Sequence, residues 1–103
     1  MKQNMSIEPV GNVVEEIALE RTPLVGSIED MNTRDRVARM MVISAKLLEV
    51  LALNSGRVEY ERAVRAVSTA LAITPSQVQY GVVFAESSGK VKSEEDGSFL
   101  SAA

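Results

Sequence analysis

The chain has 103 residues, enough for one small domain around a single core. It contains no cysteine and no histidine, which excludes disulfides, thiol chemistry, Cys/His zinc sites and histidine-based acid–base mechanisms. The net charge of −3 is unevenly spread, at −4 over residues 1–32, +2 over 33–56 and −1 over 57–103, so the large basic footprint of a strong nucleic-acid binder is missing.

Residues 1–9, "MKQNMSIEP", read as a loose tail ending at a proline. They lack the apolar core of a signal peptide. No apolar run approaches the ~18 residues that would span a bilayer, so a cytoplasmic protein without a membrane partner is expected. Val13, Val14, Ile17 and Ala18 fall at helical spacing and predict a short helix from about residue 12 to 21, stopped before Pro23. "PLVGSIEDMN" is then a connection.

"TRDRVARMMVISAKLLEVLALNSG" predicts the most apolar helix, with Thr33 as N-cap, Asp35 in the first turn and Asn54-Ser55-Gly56 as the stop. Val37, Met41, Ser44, Leu48 and Leu51 form one stripe, and Met40, Ile43, Leu47 and Val50 form another beside it. Two stripes exceed the ~100° that a surface helix needs, so this helix is expected to be buried on more than one side, as a central core helix covered by the N-terminal segment, as a dimer seam, or as both. In "GRVEYERAVRAVSTALAI" the first residues alternate as a short strand would. Ala63, Val64, Val67, Ala70 and Leu71 then make one helical face. Thr74-Pro75-Ser76-Gln77 is a helix start: threonine caps, proline takes the first position, and glutamine can close a capping box. That helix should reach about Ser87, with Gly89 in the left-handed position beyond it. "KVKSEEDGSFLS" reads as a hairpin of two short strands around Glu94–Gly97, with Asp96-Gly97 as the turn signal.

Helix, short strand, helix, tight turn, capped helix and hairpin follow one another as in a winged helix-turn-helix domain. "VSTALAITPSQVQYGV" resembles the bacterial and archaeal regulator pattern, with small Ser68 in its first helix, Leu71 and Ile73 flanking the turn, and Val78 facing the core. "AESSGKVKSEEDGSFLS" is similar to the ending of many such regulators, where a glycine stops the helix and the wing follows. The resemblance covers roughly residues 34–101. It implies a mainly α fold with a small β-hairpin, in which residues 1–32 are a tail and short helical extension and 33–103 the winged helix-turn-helix domain. Three features depart from the pattern. The usual turn glycine is Ala72, an apolar helix position is Gly81, and two positions that often carry Arg or Lys in DNA-reading members are Val83 and Phe84.

The resemblance implies a small DNA-binding regulator acting as a homodimer. Ser76, Gln77, Gln79 and Tyr80 would face base edges, since glutamine can pair bidentately with adenine and serine can donate or accept. Arg62, Arg65, Lys90 and Lys92 would hold phosphates. The alternative is a protein-interaction or oligomerisation module on the same scaffold, with Met40, Ile43, Leu47, Val83 and Phe84 as the partner interface. Two opposed roles are open for Gln77 (base reading or the capping box) and for Tyr80 (base reading or core packing).

The adjacent carboxylates do not suggest chemistry. Glu15 and Glu16 point apart on a helix, and Glu94-Glu95-Asp96 lacks the spacing of a calcium loop and reads as a solvated hairpin tip that would repel phosphate. No phosphate-cradling or nucleophile motif is present. The chain is expected not to be an enzyme and to need no cofactor or metal.

Overall fold

The structure, a computed structural model, describes residues 17–103. After a 3-10 turn at Ile28–Asp30 come α1 (Thr33–Leu53), β1 (Arg57–Glu59), α2 (Tyr60–Leu71), α3 (Pro75–Ser87), β2 (Val91–Glu94) and β3 (Phe99–Ala102). The fold is mainly α, with a small antiparallel sheet in the order β1-β3-β2. Val58 pairs with Leu100 and Ser93 with the same residue from the other side, so β3 is the central strand.

Each element begins and ends where its local chemistry dictates. The N-cap of α1 is Asn32 rather than Thr33: the Asn32 side chain accepts from Asp35 N–H (2.8 Å), leaving Thr33 as the first helical residue. Helix α3 starts as its sequence predicts, with Thr74 Oγ1 accepting from Gln77 N–H (3.2 Å) and Pro75 in the first position. Its far end is a Schellman motif: Lys90 N–H donates to Ala85 O (2.9 Å) and Gly89 N–H to Glu86 O (3.0 Å), with Gly89 at φ +74°. Between α2 and α3, Ala72 takes a left-handed conformation (φ 55°). Ser68 secures this turn twice, accepting from Ile73 N–H (3.1 Å) and donating its hydroxyl to Ile73 O (2.5 Å). The hairpin loop spans four residues, 95–98, with Glu95, Asp96 and Gly97 all at positive φ, one residue further along than the expected connection at Glu94–Gly97.

All three helices and all three strands contribute to one core. Ile43, Leu47, Val50 and Leu51 of α1 meet Val64, Val67 and Leu71 of α2 and Val78, Val82 and Ala85 of α3. Each strand adds one residue: Val58, Val91 and Leu100. Helices α1 and α3 approach most closely at Gly81. A β-carbon there would stand 2.2 Å from Ile43 Cγ2 and 2.5 Å from its Cβ, so only glycine allows this crossing.

The segment before α1 departs from the sequence expectation. Residues 17–21 are not helical, and the rest of that expected helix, with Glu15 and Glu16, lies outside the described residues. Residues 17–32 run instead as a strap over the ends of the helices. Thr22 and Leu24 N–H donate to the carbonyls of Ala70 and Leu71, where α2 ends (both 2.8 Å). Ile28 is buried, and Ile17, Leu19 and Leu24 pack against the core. The strap's own carbonyls are taken by cations of α1. Arg36 donates to Ile28 O, Glu29 O and Met31 O, Arg39 to Gly26 O (2.9 Å) and Val25 O (2.6 Å), and Lys46 to Glu20 O (3.2 Å).

Two substitutions test these constraints. Gly81→Ala should lower stability by about 1–3 kcal/mol in a urea titration, because the cost of overpacking outweighs the helix propensity gained. Ala72→Gly should raise stability by about 0.5 kcal/mol, relief of left-handed strain being partly offset by a more flexible unfolded chain.

Candidate functional site

Some of the residues expected to read bases and some of those expected to bind a partner come together. Ser76, Gln79, Tyr80 and Val83 of α3, Met40 of α1 and Glu29 of the strap line one shallow groove. Periodicity explains the helical part: 76, 79, 80 and 83 recur at three- and four-residue steps and share the outer face of α3. Val83 is 58% exposed, Tyr80 is exposed and Met40 half-buried.

Glu29 dominates this groove. The strap lays it across the start of α3, where Gln77 Nε2 donates to its Oε1 (2.7 Å) and the Tyr80 hydroxyl to its Oε2 (3.2 Å). The Ser27 hydroxyl also donates to Oε1. These contacts, Ser27 foremost and then Gln77, hold the Glu29 carboxyl down at about 2. An ionised carboxylate therefore sits where a phosphate or base edge would have to approach.

The Gln77 side chain is taken up within the chain. It is buried, and its Oε1 accepts from Ile28 N–H (3.0 Å) while its amide donates to Glu29. It does not close a capping box but pins the strap to α3. Tyr80 likewise spends its hydroxyl on Glu29. Ser76 and Gln79 stay exposed.

The four cations are dispersed. Arg62 and Arg65 line a different cleft, between α2 and the hairpin tip, together with Glu59, Glu61 and Asp96. Lys90 and Lys92 follow the other end of α3, beyond Ser87, which lies about 16 Å along the helix axis from Ser76. The hairpin acids are mostly neutralised from within. The Arg57 guanidinium lies 3.8 Å from the centre of the Phe99 ring, and it donates to Glu94 Oε1 (3.0 Å) and to Glu95 Oε2. Arg57, with help from Ser101, holds the Glu94 carboxyl below its usual range. Glu94 and Glu95 thus tie the hairpin to β1 through Arg57, while the tip stays solvated as expected, with Glu95 and Asp96 exposed.

The expected partner interface is split by the structure. Ile43 and Leu47 are fully buried in the core and cannot meet another chain. Phe84 is half-buried. The bare apolar surface of α1 lies on its opposite side: Met41 is 56% exposed, Leu53 62%, and Val37, Val42, Ala38, Ala45 and Ala52 are exposed with them. Glu49 is the single charged residue on this face beyond the first turns, and Lys46 of the same chain stands 3.3 Å from it.

No protein-family model, curated protein or solved structure matches this chain. Among the described residues no helix is long and apolar enough to cross a membrane, and no cluster of three or more acidic side chains could hold a metal ion.

Sequence reasoning missed Glu29 and Arg57. Glu29 lies 48 residues from Gln77, and no local pattern announces that contact. Arg57 could have been found, since it alternates with Val58 in a strand whose outward face must meet the hairpin.

The depressed Glu29 and Glu94 carboxyls predict an acid-sensitive fold. Their contribution is complete above the ordinary carboxyl range near 4.5 and is lost on acidification, that of Glu29 as pH falls toward 2 and that of Glu94 as pH falls through its own lowered range. Glu29→Gln should flatten the fall in melting temperature between about pH 4.5 and 2, leaving the part due to Glu94. An unchanged acid limb would show that Glu29 does not tie the strap to α3.

Proposed function

We propose that this chain is a protein-interaction module on a winged-helix scaffold, and that it works by self-association rather than by reading DNA. The order helix, strand, helix, helix, strand, strand, with β1 beside β3, supports the scaffold. The function rests on one observation: α1 turns an apolar face to solvent along its whole length. Such a face on a small domain marks an interface, because leaving it in water forfeits ~25 cal/mol for each Å² of apolar surface that a partner would cover. The groove beside it, with Val83, Tyr80 and Met40, extends the apolar surface onto α3.

DNA reading remains the second reading, because Ser76 and Gln79 stay exposed at a capped helix start, where a phosphate is electrostatically welcome. The Glu29 carboxylate on that surface and the dispersal of the cations oppose it.

One pair of measurements separates the two. Sedimentation equilibrium at micromolar concentration should give a dimer, and Met41→Glu, a change at an exposed site, should give a folded monomer by circular dichroism. Fluorescence polarisation with duplex DNA at low salt should show no binding up to about 10 µM, within the range where non-specific binders associate. A wild-type monomer that binds duplex DNA would reverse the assignment.

A further inference from the structure

The exposed face of α1 has a regular internal order. Ala38, Ala45 and Ala52 are seven residues apart, and Met41 and Leu48 lie between them at alternating three- and four-residue steps. Arg34 continues the series by one step toward the helix start. This is the spacing of a helix seam that winds against another helix. Ala38, Met41, Ala45 and Ala52 are exposed and Leu48 is half-buried at the edge of the core. The seam is thus small-large-small-large-small, on a helix of 21 residues and about 31 Å.

From this we infer that two copies of the chain pair through α1 in antiparallel orientation, with Met41 of each opposite Ala45 of the other and Ala38 opposite Leu48. The inference rests on the self-association reading and gives it a geometry. A parallel pair in register would set Ala against Ala and Met41 against Met41, alternating gaps with crowding. The antiparallel pair sets every alanine against a long side chain, so the volume filled is even along the seam. It also opposes the two helix dipoles favourably.

Charge selects among the antiparallel registers. With Met41 opposite Ala45, the two Glu49 carboxylates are 12 residues apart along the seam, about 18 Å and beyond the ~8–10 Å screening length at ordinary salt. Sliding to the next register, with Ala45 opposite Leu48, brings them within five residues, about 7.5 Å, where they repel. In the chosen register Arg34 stands opposite the partner's Ala52, about one turn from the partner's Glu49. The charges at the seam's edges are also balanced within each chain, Arg34 lying 3.8 Å from Asp35 and Lys46 3.3 Å from Glu49. A second copy is therefore the occupant that the face fits: it supplies the small residues opposite the large ones and adds no uncompensated charge.

The chain has no cysteine, so introduced thiols report pairing without background. The variants R34C and A52C alter exposed positions and are purified separately, and sedimentation establishes the assembly state of each and of the wild type. Oxidised as a mixture, R34C and A52C should form a covalent dimer. Each alone should not, because in the antiparallel pair its own thiols are 18 residues apart, about 27 Å, far outside disulfide reach. Self-linking of A52C alone would mean a parallel pair and overturn the inference. Linking of an A38C and A52C mixture in place of R34C with A52C would centre the pair on Ala45 and overturn this register. A dimer that no pair links would place the interface on another face and overturn the inference, leaving self-association standing. A monomer, which would leave the face to the chain's own first 16 residues or to a different protein, overturns both.

Discussion

Three cations of helix α1 hold the preceding strap in place, and much of the molecule depends on that attachment. Arg36, Arg39 and Lys46 donate to carbonyl groups of the strap, and the last two are buried, at 8% exposure each. A strap without strand partners has carbonyls that water or a donor must satisfy. Using cations for this stabilises both parties, since a charged donor makes a stronger hydrogen bond and a paired cation tolerates burial. The consequence is geometric. A helix that spends its cations inward has few left for its outer face, and Met41, Val42 and Leu53 are what remains there.

The strap also determines the character of α3. Anchored by Arg36 and Arg39, it delivers Glu29 to the start of that helix and presents Ile28 N–H to Gln77. Two polar side chains near that helix start, Gln77 and Tyr80, are thereby engaged by a carboxylate of the same chain. The start of α3 thus serves as an intramolecular joint. Val83, Tyr80, Ser76 and Gln79 are exposed beside it.

Those parts of the fold that depend on near neighbours could be read from the sequence. The caps of α3, its glycine stop, the core face of α2 and the short strand at Val58 all follow from spacing and from Thr74, Pro75 and Gly89. The parts that depend on distant residues could not. Nothing near Gly81 says that Ile43 presses on it, nor does anything near Gln77 point to Glu29. Two apolar stripes on α1 were legible, but where the buried arc ends was not. Ile43 and Leu47 are buried, as are Ser44 and Leu51 of the other stripe, while Met41 of that same stripe is in solvent. Val83 and Phe84, read together as one apolar pair, part company because adjacent helical residues diverge by about 100°.

The sheet has consequences beyond its role in the core. Strand β2 bonds only to β3, so its far side is an open edge of four residues, short enough to offer little to a passing strand. Lys92 stands on that edge strand, 62% exposed, with Lys90 just before it. A second sheet adding itself there would have to bring the ammonium groups of both chains together, and lysine on an exposed edge is a common guard against such stacking. Of the four cations that the sequence offers as phosphate ligands, Lys90 and Lys92 thus stand where the open edge of the sheet calls for such a guard.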